Sequence, residues 1–256
     1  MRTTHSGRAA LAAALAGCLL LVGCRGPEDD ALVLYAGAGL RDAVEAAITE
    51  FEKQHETKVV VDWNGSGTIL AHAKARNSGD LFMPGDVWYV DELHRQTGLI
   101  ADKTSVAYFV PVILVHKDST KNIRSLADFV RADVTVGLGG PEHCQIGRLS
   151  TKLLAGNGVD RTALEAMESL TVNDLGVWVD TRKVDAAIVW DATAANYSDS
   201  CRAIEIPKDK NIISHVVVGR MTTSQHPDKA RQFVAFLASP EGQAILNRHG
   251  LRTEAP

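Results

Sequence analysis

Short apolar runs alternate with stretches of helical period along nearly the whole chain, and that alternation leaves few folds open. Leu32–Tyr35, Lys58–Asp62, Val110–Val115, Val134–Leu138, Asp185–Trp190 and Ile212–Val218 read as strands. Between the first two, Leu40, Val44, Ile48 and Phe51 recur at the spacing of one helix face. The same periodicity predicts helices over 68–76, 87–95, 147–156, 160–169, 227–238 and 240–248. Another helical stretch opens at Thr171. Strands that alternate with helices predict an α/β fold with mainly parallel sheets. No internal repeat or low-complexity tract interrupts the pattern.

The turns after the strands carry the chemistry. Gly37-Ala38-Gly39 joins the first strand to the first helix, and Asn64-Gly65-Ser66-Gly67-Thr68 joins the second pair. Gly137 through Gly147 leads into a helix, and Thr171-Val172-Asn173-Asp174 starts the next. A helix start exposes unpaired N–H groups at the positive end of its dipole, which suits an anion. Gly, Ser, Thr and Asn at such positions also serve as ordinary caps, and for any single loop capping is the better explanation. In open α/β sheets the ligand crevice lies where these loops fall, at the carboxyl ends of the strands.

The N-terminus bears on location. Arg2 and Arg8 precede an apolar segment from Ala9 to Val22. At about 14 residues it is shorter than the ~20 that a membrane-spanning helix needs. A basic start, a short apolar run and a small residue at its end form a secretory signal. Leu21-Val22-Gly23-Cys24 resembles the bacterial lipobox, which implies a signal peptide over 1–23 and lipid on Cys24. Residues 24–30 then form a polar tether. Removing the segment leaves 25 basic against 31 acidic residues, a net charge of −6. That balance gives no footprint for nucleic acid, which requires a basic stripe. Of four cysteines, only Cys144 and Cys201 then belong to the fold. Outside the cytoplasm they could pair or stay as separate thiols.

Taken together, Ala36-Gly-Ala-Gly-Leu40, Gly65-Ser-Gly-Thr68, Asp80-Leu-Phe82, Gly140-Pro-Glu-His143 with Gly147, Ile188-Val-Trp190 and the closing Phe233–Leu246 helices resemble the periplasmic solute-binding proteins of the molybdate-binding family. The resemblance covers nearly all of residues 31–252. It implies a two-lobed periplasmic binding protein fold of type II, each lobe a mainly parallel sheet flanked by helices. Residues 31–107 with 210–256 would form lobe I and 108–209 lobe II, with hinges near 106–111 and 206–213. It further implies a monomer without cofactor or catalysis, anchored outside the cell membrane through Cys24. Such a protein delivers a small oxyanion to an ABC permease, with molybdate or tungstate expected first. Sulfate, phosphate or a phosphorylated organic acid, and a sensor role, are the alternatives.

The resemblance places family ligand contacts at Gly39, Ser66, Ile146, Val172 and Trp190, with Gly67 and Gly147 beside them. Gly39 stands where the family has a serine, and Trp190 where it has a tyrosine. Arg41, Arg148 and Asn173 are further candidate donors, the arginines reading more readily as solvated helix-face residues and Asn173 equally as a cap. Asp191 could pair with an arginine or accept a ligand hydroxyl. A metal site is the weaker reading: His116, His143, Cys144 and His215 lack ligand spacing. So is an enzyme, because Ser66 sits in no nucleophile elbow.

Overall fold

The computed structural model describes residues 30–256. The expected signal peptide, the lipidation site Cys24 and the tether up to residue 29 lie outside the described residues. Asp30, expected in that tether, is held against a late helix: its carboxylate lies 2.7 Å from Lys229 Nζ.

The described residues form two five-stranded sheets. The first holds β1 (Leu32–Gly37), β2 (Val59–Asn64), β3 (Leu81–Met83), β4 (Ile100–Phe109) and β10 (Ser214–Met221). The second holds β5 (Pro111–His116), β6 (Val136–Gly139), β7 (Ala166–Ser169), β8 (Ala186–Trp190) and β9 (Cys201–Glu205). Their orders are β2-β1-β3-β10-β4 and β7-β6-β8-β5-β9. In the first sheet only β10 runs against the other strands, and in the second only β5 does. Both lobes therefore share one plan, a mainly parallel sheet with a single reversed strand in fourth place.

Helices α1 (Arg41–His55), α2 (Ser66–Arg76), α3 (Val87–Thr97), α7 (Pro227–Ala238) and α8 (Pro240–Arg248) flank the first sheet. Helices α4 (Gln145–Gly156), α5 (Val172–Asp180) and α6 (Asp191–Ala195) flank the second. The expected helix face of α1 is buried: Val44, Ile48 and Phe51 point inward, and Phe51 meets Phe233 of α7 edge-on at 5.0 Å. Strands covered on both faces read as continuous apolar runs, and β8 is buried at every residue.

One predicted helix is absent. Residues 160–169 form a single 3-10 turn, Arg161–Ala163, and then β7. β7 is an edge strand with Met167 and Glu168 exposed, so it shows neither an apolar run nor a clean alternation. β3, β4 and β9 were likewise not predicted.

The chain passes between the sheets twice. Val110 alone separates β4 from β5, and residues 206–213 join β9 to β10. These passages are pinned. Asp191 exchanges hydrogen bonds with Val110, its N–H donating to the carbonyl at 2.8 Å and its carboxylate accepting the Val110 N–H at 3.2 Å. Asn211 donates to the Pro111 carbonyl at 3.0 Å.

Candidate functional site

Four helix starts meet between the two sheets. From the first lobe come the turn at Ala38–Leu40, which runs into α1, and the start of α2 at Ser66. From the second come α4 at Gln145 and α5 at Val172. They enclose a small cavity, lined by Gly37–Leu40, Gly65, Ser66, Gly85, Phe109, Cys144–Ile146, Val172 and Trp190. None of these side chains carries a formal charge. The N–H groups of Ser66, Ile146 and Val172 belong to first turns, so no carbonyl of their own helix reaches them. None bonds to a carbonyl elsewhere among the described residues. Each helix start adds a fractional positive charge, roughly half an elementary charge. Uncharged walls, open donors and converging dipoles suit an anion.

Two side chains extend the donor set. Ser66 is 3% exposed, and its Oγ accepts the Gly85 N–H at 3.0 Å, which leaves its own hydrogen to donate. Trp190, also 3% exposed, stacks on Phe109 at 4.8 Å between ring centres. Its ring lines the cavity and carries an indole N–H donor. A Cβ placed on Gly39 would lie 3.3 Å from that nitrogen and 2.9 Å from Val172 Cγ1. The two departures from the family pattern thus fit each other: Gly39 has no side chain where the indole and Val172 fill the space.

The cavity also holds a thiol. Burial pushes the Cys144 pKa up to about 11, so the group is a neutral thiol near pH 7 and a poor nucleophile. Its Sγ donates weakly to the Gly140 carbonyl at 3.7 Å. Cys201 is buried elsewhere, and both cysteines are free.

The family model of the bacterial extracellular solute-binding proteins matches residues 32–252. The chain belongs to that family. A binding protein of Haemophilus influenzae is 30% identical over 221 residues, covering 86% of this chain and 89% of the relative. The molybdate-binding protein ModA of Mycobacterium tuberculosis is 24% identical over 228 residues, covering 88% and 86%. The periplasmic molybdate-binding protein of Azotobacter vinelandii superposes with a TM-score of 0.75 at 16% identity, over 88% of this chain and 99% of that one. The two-lobed fold expected from sequence is the fold of this solute-binding protein.

The remaining expected contacts distribute unevenly. Gly39, Ser66, Ile146, Val172 and Trp190 all line the cavity. Gly67 does not; its N–H is spent across the cleft on the His143 carbonyl at 2.8 Å. Gly147 lies one layer behind, where a Cβ would come within 2.4 Å of the Gly139 carbonyl, so it lets α4 pack on β6. Arg41 points away, its side chain 45% exposed, beside Glu45 and over the Trp63 ring. Arg148 stacks on Trp88, 3.9 Å from the ring centre. Asn173 follows Val172 on α5 but is not part of the wall. Asp191 is occupied where the chain passes between the sheets, by Val110 and by Arg252, whose Nε lies 2.6 Å away. Both arginines and Asp191 were singled out because they neighbour the right loops in sequence. Their side chains are not part of the cavity wall.

Sequence reasoning missed Gln145. It is 5% exposed, opens α4, and reaches across the cleft to Ser214 Oγ at 3.0 Å. Its partner is far away in sequence, so no local pattern could reveal the contact. Among the described residues no three His, Cys, Asp or Glu groups assemble as a metal site. Ser66 Oγ is engaged by the Gly85 N–H, and His72 pairs with Asp62 at 2.8 Å.

Proposed function

We propose that this solute-binding protein captures a small tetrahedral oxyanion, molybdate or tungstate foremost, and hands it to an ABC permease. In this reading it works outside the cell membrane, held there by lipid on Cys24, with lobes 31–107 plus 210–256 and 108–209 closing about hinges near 106–111 and 206–213. The observation that carries the ligand class is the convergence of four helix starts from both lobes on a cavity with no charged wall. Ser66 Oγ–H, the indole N–H of Trp190 and first-turn backbone N–H groups would surround the anion. Such donors are fixed before the ligand arrives, so little reorganisation opposes binding. The molybdate-binding relatives support the choice of anion.

The same wall orders the candidates. No carboxylate lines the cavity. Monohydrogen phosphate would bring a proton with no carboxylate to accept it, whereas molybdate, tungstate and sulfate bring none. A thermal-shift panel over the four sodium salts at equal ionic strength tests the reading. A ligand at 100 times its Kd adds ~2.7 kcal/mol. For a chain of this size that raises Tm by roughly 5–10 °C. The expected order places phosphate last. No shift with any of the four would overturn the proposal.

A further inference from the structure

Behind the anion cavity, side chains from both lobes form a closed circuit that crosses the cleft twice. Arg148 Nε donates to Gln145 Oε1 at 3.4 Å, and Gln145 Nε2 donates over the cleft to Ser214 Oγ at 3.0 Å. Ser214 Oγ lies 2.6 Å from Asp86 Oδ2 and 2.9 Å from the Gly85 carbonyl, acceptors for its one hydrogen. Asp86 Oδ1 caps α3 by accepting the Trp88 N–H at 2.9 Å. The ring of Trp88 then faces back over the cleft to the Arg148 guanidinium, 3.9 Å from its centre. Gln145 and Arg148 stand one turn apart on α4 of the second lobe, whereas Trp88, Asp86 and Ser214 belong to the first.

The circuit touches the cavity at two points. Gln145 is part of the cavity wall. Gly85 donates its N–H to Ser66 Oγ and offers its carbonyl to Ser214. An anion that fixes Ser66 and the start of α4 therefore fixes both ends of the Gln145–Ser214 bond. On the outer side, Trp88 is 40% exposed, so the stack lies at the rim of the cleft.

We propose that Gln145, Arg148 and Trp88 form a latch that holds the lobes shut over the anion and so sets how slowly it leaves. The latch rests on the proposed oxyanion function. Gln145 is its positioning residue: it orients Arg148 through Oε1 and spans the cleft through Nε2. Arg148 and Trp88 close it by cation–π contact without touching the ligand. The contact forms only when the lobes meet, so breaking it raises the dissociation rate and leaves the encounter of anion with open lobes nearly unchanged.

The test uses the full mature chain and whichever of molybdate, tungstate, sulfate or phosphate gives the largest thermal shift. Association and dissociation rates are measured by stopped flow and equilibrium affinity by calorimetry, for wild type, Trp88→Leu, Arg148→Gln and the double variant. Each single variant is expected to release the anion about 2- to 30-fold faster, the range of one cation–π contact, with the association rate within about threefold of wild type. The double variant should be no faster than the faster single one, because each single variant already removes the contact between Arg148 and Trp88. Arg148→Lys should recover part of the slow release. Gln145→Ala, which keeps its backbone N–H, should release faster than either single variant because it cuts both crossings. Wild-type release rates in Trp88→Leu and Arg148→Gln would overturn the latch while leaving anion capture intact. Additive effects in the double variant would likewise overturn it. Absence of binding by all four anions would overturn the capture reading and the latch with it.

Discussion

At the scale of single residues, the side chains that matter are those whose polar atoms have nowhere else to go. Trp190→Phe keeps an aromatic ring beside Phe109 and removes the indole N–H together with part of the buried ring. Losing one hydrogen bond to a charged ligand costs ~1.5–3 kcal/mol, so affinity should fall at least tenfold, and the smaller buried ring should also lower Tm of the free protein; calorimetry and thermal melts check both. Ser66→Ala should lower affinity and stability together, because it removes a ligand donor and leaves the buried Gly85 N–H without its acceptor. Arg41→Ala should leave affinity unchanged. That last expectation reverses the sequence reading, and the reason is directional. Sequence places a residue beside a loop but does not say to which side of the backbone its side chain departs. The backbone contacts were legible for the opposite reason, since a helix start presents N–H groups whatever residue occupies it. Cys144 adds a pH dependence. Its folded pKa is raised, so the fold favours the protonated thiol. That preference is fully present below the ordinary value near 9 and is lost as pH rises through about 11. Denaturant melts at pH 8 and pH 10.5 should show wild type losing more stability than Cys144→Ala, by on the order of 1–2 kcal/mol.

Among elements, the fully buried ones were readable, and β3, β4, β7 and β9 were not. β1, β5 and β8 announce themselves as unbroken apolar runs because both faces are covered. β3 has three residues, too few to carry a period, and β4 has mostly exposed residues through its first half. β7 sits at an edge, and its surroundings resemble a helix in spacing because nothing constrains its outer face. Contacts between elements are set by glycines whose purpose sequence could not assign. A Cβ on Gly67 would lie 2.1 Å from the Glu142 carbonyl across the cleft. Gly67→Ala should therefore oppose closure and leave each lobe folded. The expected result is a large loss of affinity with a small change in circular dichroism and Tm. At Gly147 the same substitution strikes carbonyls within its own lobe, at 2.4 Å and 2.5 Å. Overpacking of that kind typically costs 1–3 kcal/mol, so Gly147→Ala should lower Tm outright.

On the scale of the whole molecule, the class of fold followed from alternation, but its closure did not. Helix and strand order predicts an α/β fold with mainly parallel sheets, and the family resemblance implies its two lobes. Which lobe touches which, and through what, depends on pairs such as Gln145 with Ser214 and Gly67 with His143 that lie far apart in the chain. The shared strand plan has a consequence for biogenesis. The second sheet is built from one uninterrupted stretch, β5 to β9, whereas the first lacks its reversed strand until β10 emerges near the end of the chain. A polypeptide threaded outward from its N-terminus can complete the later half while the earlier one is still open at its centre. The half that was made first is then finished last, and the pocket between them comes into being only once β10, which begins at Ser214, is available to pair.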